Sequence, residues 1–217
     1  SMLHFYLLMD RNMHGSTSVL RGNNNDGSNN NLVDGQGNII GLVGDAALDN
    51  VVVGEGNQVT GDNNEIFGRD NEVSGDNNLG VFGSGNTGLS GSGNAVYGDT
   101  NINLSGNNNN IYGSDNDDVD GDNNLIVGDR NDGMSGQFNN VMGDANTNVD
   151  GNGNDIFGSL NDDVDGSNNL IIGDQNDGMD GSFNNVTGDA NTGMTGSGND
   201  VFGSLNDDVT GSGNLIV

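Results

Sequence analysis

Residues 154–168 read NDIFGSLNDDVDGSN, and residues 199–213 read NDVFGSLNDDVTGSG. Each fifteen-residue stretch holds one idiom twice: Asn, then an aliphatic side chain, then Gly. Asn154, Ile156 and Gly158 form one copy; Asn161, Val164 and Gly166 form the other, stretched by one residue. The unit divides into seven plus eight residues, which predicts two short strands and two tight turns per coil.

The same beat runs outward through most of the chain. Glycines recur every fifteen residues from Gly68 to Gly203, and a second series does so from Gly91 to Gly211. Aliphatic residues keep step, from Val81 to Ile216 in one half-coil and from Leu89 to Val209 in the other. One core residue per half-coil cannot make a core alone, but coils stacked about 4.8 Å apart join them into a continuous buried column. The sequence therefore specifies an all-β fold, a single-domain parallel β-solenoid of about thirteen coils of fifteen residues. Asn is equally regular, from Asn94 to Asn214 and from Asn86 to Asn206. A carboxamide both donates and accepts, so stacked Asn residues are expected to bond one another in an internal ladder, beyond merely tolerating turn geometry.

A longer period lies above the coil. Residues 114–158 and 159–203 match at 33 of 45 positions, and 204–217 begin a third copy. Residues 54–217 read as the regular solenoid, 15–53 as irregular first coils, and 1–14 as a segment capping the first coil. The chain stops in mid-coil at Leu215-Ile216-Val217. A truncated end, or an end that meets another chain, is the expectation.

Forty of the 217 residues are Gly, 43 are Asn, 30% are hydrophobic, and the net charge is -28. That composition alone resembles disorder, and only the periodicity overrides it. The four positive charges are all Arg, so nucleic acid and anionic bilayers would be repelled. No run approaches the roughly 18 apolar residues of a membrane span, and Leu3 to Met9 lacks the basic start of a signal peptide. There is no Cys, and His4 and His14 both precede the patterned region.

Strand alternation sets the residue before Gly opposite the core residue. In the seven-residue half these positions hold Phe67, Phe82, Tyr97, Tyr112, Val127, Met142, Phe157, Ile172, Phe202 and Val217, with Thr187 the one polar member. Exposed together they would form an apolar stripe well above the patches of ordinary monomers; a coil that bulged enough would bury them instead. Leu125, Leu170 and Leu215 share that face every third coil. The other half carries Ser90, Ser105, Ser135, Thr195 and Thr210 among acidic residues. Asp150, Asp165 and Asp180 occupy equivalent places in three successive coils. A bound Ca²⁺ would relieve their repulsion, with Asp162, Asp163 and Asp177 near enough to add oxygens; a solvated charged face is the alternative. No other cofactor is expected.

The half-coils Asn64-Glu65-Ile66-Phe67-Gly68 and Asn71-Glu72-Val73-Ser74-Gly75 resemble the repeats of plant ice-recrystallisation-inhibition proteins. That resemblance implies a left-handed β-roll with internal Asn and Val, and a flat, hydroxyl-rich ice-binding face. Asn124-Leu125-Ile126-Val127-Gly128 is also similar to the repeats of trimeric autotransporter adhesin heads, which implies left-handed rolls whose apolar faces meet around a three-fold axis. Both resemblances imply an extracellular or cell-surface protein.

The carboxylates recur with the coil, and no unique acid–base constellation stands out, so an enzyme is not expected. The expected function is a structural or adhesive module that forms a homo-oligomer or fibre through the apolar stripe. The alternative is an ice-binding protein, with ice or another extended surface or polymer as partner.

Overall fold

In a computed structural model of the chain, residues 31–41 and 47–217 are described in full, with the backbone of Val19–Leu20 and Asn24–Asn25. The expected cap over 1–14 lies outside these residues. The protein is an all-β parallel solenoid of about twelve turns about fifteen residues apart, with no helix among the described residues. None there is thus long and apolar enough to cross a membrane. Two compact units divide the chain, residues 1–102 and 103–217.

In the second unit, strands Asn110–Tyr112, Leu125–Val127, Asn140–Met142, Asp155–Phe157, Leu170–Ile172, Asn185–Thr187 and Asp200–Phe202 pair in parallel, each with its successor one coil on, to form a first sheet. Strands Asp117–Asp120, Asp132–Ser135, Thr147–Asp150, Asp162–Asp165, Asp177–Asp180 and Thr192–Thr195 form the second. Ile156 stacks on Ile171 in one sheet and Val164 on Met179 in the other, all essentially inaccessible. Burying each such side chain is worth about 1.5 to 3 kcal/mol.

The expected Asn ladder is present. The backbone and side-chain N–H groups of Asn169 both donate to Asn154 Oδ1, at 3.1 and 3.2 Å. The remaining side-chain proton of Asn169 goes to the Gly181 carbonyl at 2.8 Å. On the opposite side Asn176 bonds Asn161 in the same way, at 3.0 Å and 3.0 Å. The buried carboxamides are thereby satisfied from within, which is the condition for keeping so polar a group in a core.

The glycines follow from the close stacking. A Cβ on Gly158, whose φ is 148°, would lie 2.0 Å from the Gly173 carbonyl oxygen. The eighth residue of the longer half is also accounted for. Asp162 pairs with Asp177 and Val164 with Met179, while Asp163 between them stands outside the ladder at φ 51°. The equivalent residues from Asn103 to Asp208 all have positive φ. Each coil thus absorbs its extra residue in a bulge, and the core column keeps its phase.

The first unit has the same ladder and core but a different coil length. Asn64 bonds Asn50 and Asn71 bonds Asn57, each across 14 residues. Its second-sheet strands Gln58–Thr60 and Glu72–Ser74 pair without a bulge. One residue is added at Leu79–Ser84, where the register shifts between Glu65 and Ile66 and Gly80 takes φ 101°, and the bulge of the second sheet first appears at Gly88, φ 66°, between Thr87 and Leu89. The early coils therefore depart from the uniform fifteen read from the sequence over 54–217.

Candidate functional site

The outer face of the first sheet is the feature with chemistry of its own. Alternation holds along its strands: Ile156 is buried, while Asp155 and Phe157 face out. In the second unit Tyr112, Val127, Met142, Phe157, Ile172, Thr187 and Phe202 lie in register on successive strands and are exposed. Their fractional exposure of about 40%, as for Phe157 at 37% and Ile172 at 42%, reflects mutual cover along the stripe. Val217 is 94% exposed. In the first unit Phe67, Phe82 and Tyr97 stack ring on ring at 4.9 and 5.0 Å, nearly parallel, because the strand spacing matches an offset-stacked aromatic pair.

Beside the stripe runs a second outward column. Leu125 and Leu170 are half-buried there, and Leu215 is exposed. Between them Asn140 donates to Asp155 at 2.6 Å and Asn185 donates to Asp200 at 2.6 Å. These two Asp are the only carboxylates on the first-sheet strands of the second unit, whereas its second-sheet strands carry ten. The unit is amphipathic, apolar on one sheet and anionic on the other.

The structure adds four residues that the sequence reading passed over. Phe138 and Phe183 at one corner, and Leu160 and Leu205 at the other, are 53 to 80% exposed. All four have φ between 59 and 63°. Their signal in the sequence is recurrence at the 45-residue period inside turns otherwise filled by small or polar residues.

On the second sheet Ser90, Ser105 and Ser135 are half-buried, and Thr195 and Thr210 are exposed. Ser105 Oγ donates to Asp120 and Ser135 Oγ to Asp150, both at 2.6 Å. Hydroxyls and carboxylates are thus tied to each other there. Asp150, Asp165 and Asp180 lie in register, but the carboxylates that converge are those of Asp162, Asp163 and Asp177, with oxygens within 4.8 Å of one another. The bulge at Asp163 brings this about. Asp162 also accepts hydrogen bonds from Thr147, Asn148 and the Asp163 N–H. Such a set of hard oxygens suits a divalent cation in type, and exposed acidic groups of this kind also occur without one.

No family model matches the chain, and no curated protein does. The chain is a parallel β-solenoid with internal Asn ladders.

Proposed function

We propose that this protein is a non-enzymatic structural or adhesive repeat module, working outside the cell or at its surface, that associates laterally through the outer face of its first sheet. One observation carries the reading: the second unit gathers its apolar outward residues on one sheet and its strand carboxylates on the other. An extended face of in-register rows suits a partner that is itself extended, because weak identical contacts add when aligned. Among the described residues the strand carboxylates repeat with the coil, the pattern of a solvated face and not of an acid and a base held in two unlike environments. Light scattering behind size exclusion, over a range of concentrations, tests the proposal. A dimer or larger species that becomes monomeric on Phe157→Ser plus Phe202→Ser is the expected outcome, and a monomer at every concentration would overturn it.

A second reading, ice binding, draws on Thr195 and Thr210, which pair in register on the other sheet. Thermal hysteresis or recrystallisation inhibition at micromolar protein, lost on Thr195→Val plus Thr210→Asp, would support it. Absence of both would remove it.

A further inference from the structure

The three-coil period gives the first-sheet face of the second unit a pattern beyond a simple stripe. Each coil has four outward positions, two on the strand and one left-handed residue at each corner. For the coils beginning at 123, 138 and 153 these read N-L-V-R, F-N-M-A and G-D-F-L. The next three coils, from 168, 183 and 198, read N-L-I-Q, F-N-T-A and G-D-F-L.

Two observations make this pattern more than ornament. Phe138, Phe183, Leu160 and Leu205 hold bulky side chains at φ near 60°, a conformation costing about 1 to 2 kcal/mol per residue. They stay exposed, so burial within the chain does not offset that cost. Strained, exposed apolar residues of this sort are where a function is to be sought. Each also has one of the smallest residues beside it in its column: Gly153 follows Phe138, and Ala145 precedes Leu160.

We propose that a second copy of this chain covers this face, running antiparallel, about a two-fold axis through the coil of residues 168–175. This deepens the lateral-association reading and rests on it. Turned end for end about that coil, every F-N-x-A row meets a G-D-F-L row. Phe183 enters the gap over Gly153, and Leu160 enters the gap over Ala190. Asn185 comes opposite Asp155: one amide proton of Asn185 already goes to Asp200, and the second is directed to the partner copy. Leu170 and Ile172 meet their own counterparts on the axis.

The other antiparallel registers are penalised. One sets Asp155 and Asp200 against carboxylates, and the other sets Leu170 against Asp155. A parallel pair would place Asp155 on Phe157. The pattern therefore selects one register by repulsion as well as by fit. Charge segregation selects the partner, since joining two first-sheet faces leaves the ten second-sheet carboxylates of each copy on the outside. Six coils of this face amount to about 600 Å² per copy, about 1,200 Å² in all, at the lower end for a specific interface.

The chain has no Cys, so single Cys variants report the register directly. Facing sheets lie about 10 Å apart, beyond the reach of a disulfide, so the probe is a short bismaleimide of about that span. Leu125 and Leu170 occupy the same place in the repeat, and both are half-buried. In the proposed register Leu170→Cys links to itself, at least about tenfold faster than Leu125→Cys does, because only the former is held near its own copy. A mixture of Leu125→Cys with Leu215→Cys links as well. Equal self-linking at 125 and 170 in a protein that light scattering shows to be dimeric, and that Phe157→Ser plus Phe202→Ser makes monomeric, would overturn the register and leave the lateral reading standing. A monomer throughout would overturn both. Circular dichroism matching the parent chain verifies that each variant is folded.

Discussion

The two units share a core and differ in nearly everything outside it. In the first, Asn50, Asn64 and Asn78 recur at 14 residues, Gln58–Thr60 runs without a bulge, and three aromatic rings stack on the first sheet. In the second, the Asn columns recur at 15, each coil of the second sheet bulges at positions such as Asp163, and on the first sheet an aromatic ring comes only every third coil, at Tyr112, Phe157 and Phe202. The difference teaches that the ladder and the aliphatic column define the fold, while coil length and surface are free to vary around them. A residue can be added to a coil if the bulge takes it out of the pairing.

Glycine substitutions should break the comparison most visibly. Gly158→Ala sets a methyl group against the Gly173 carbonyl, and a loss of about 3 to 5 kcal/mol in urea unfolding is expected for so direct a clash. Gly85→Ala in the first unit meets no atom within 4 Å. Only its left-handed φ counts against it, for about 1 kcal/mol.

Ladder substitutions should erase the difference between the units. Asn161→Ala strands both donors of Asn176, and Asn57→Ala strands those of Asn71, one fourteen-residue coil on. Each should cost about 2 to 6 kcal/mol, from about one to three per buried donor left unmet. A markedly smaller loss at Asn57 would show that the shorter coils depend less on the ladder.

Surface changes come last and should differ in sign. Phe183→Asn removes strain at a left-handed corner and should raise the stability of the monomer by about 1 kcal/mol, while weakening association by light scattering. Asp163→Gly puts into the bulge the residue already found at Gly133, Gly178 and Gly193 and separates a carboxylate from Asp162 and Asp177. A rise in Tm of about 2 °C is expected for a gain near 0.5 to 1 kcal/mol, shrinking as salt screens the parent cluster.

The fold was legible because its signal is repeated: Ile156 and Val164 each have a counterpart in every coil, so the inward phase follows from many residues at once. The outward phase of Phe157 was legible by the same alternation. The corners were not. A turn written Gly-Ser-Leu-Asn reads as polar punctuation, and nothing local announces that Leu160 adopts a conformation usually left to Gly or Asn. The acidic cluster was half legible. Equivalent positions suggested Asp150, Asp165 and Asp180 as the centre with Asp162, Asp163 and Asp177 beside them; only the latter three converge, with Asp163 in a bulge that a list of spacings does not show.

The Asn ladder has one further consequence. In the parallel sheets the backbone bonds run alternately up and down the stack, but every ladder bond points the same way, from each Asn to the one a coil before it. Chains of aligned hydrogen bonds polarise one another, each strengthening the next by about 10 to 30%. A coil inside the ladder thus gains from its neighbours on both sides. Breaking the ladder at Asn161 should therefore speed amide hydrogen exchange in the coils of Asn146 and Asn176 as well as in its own.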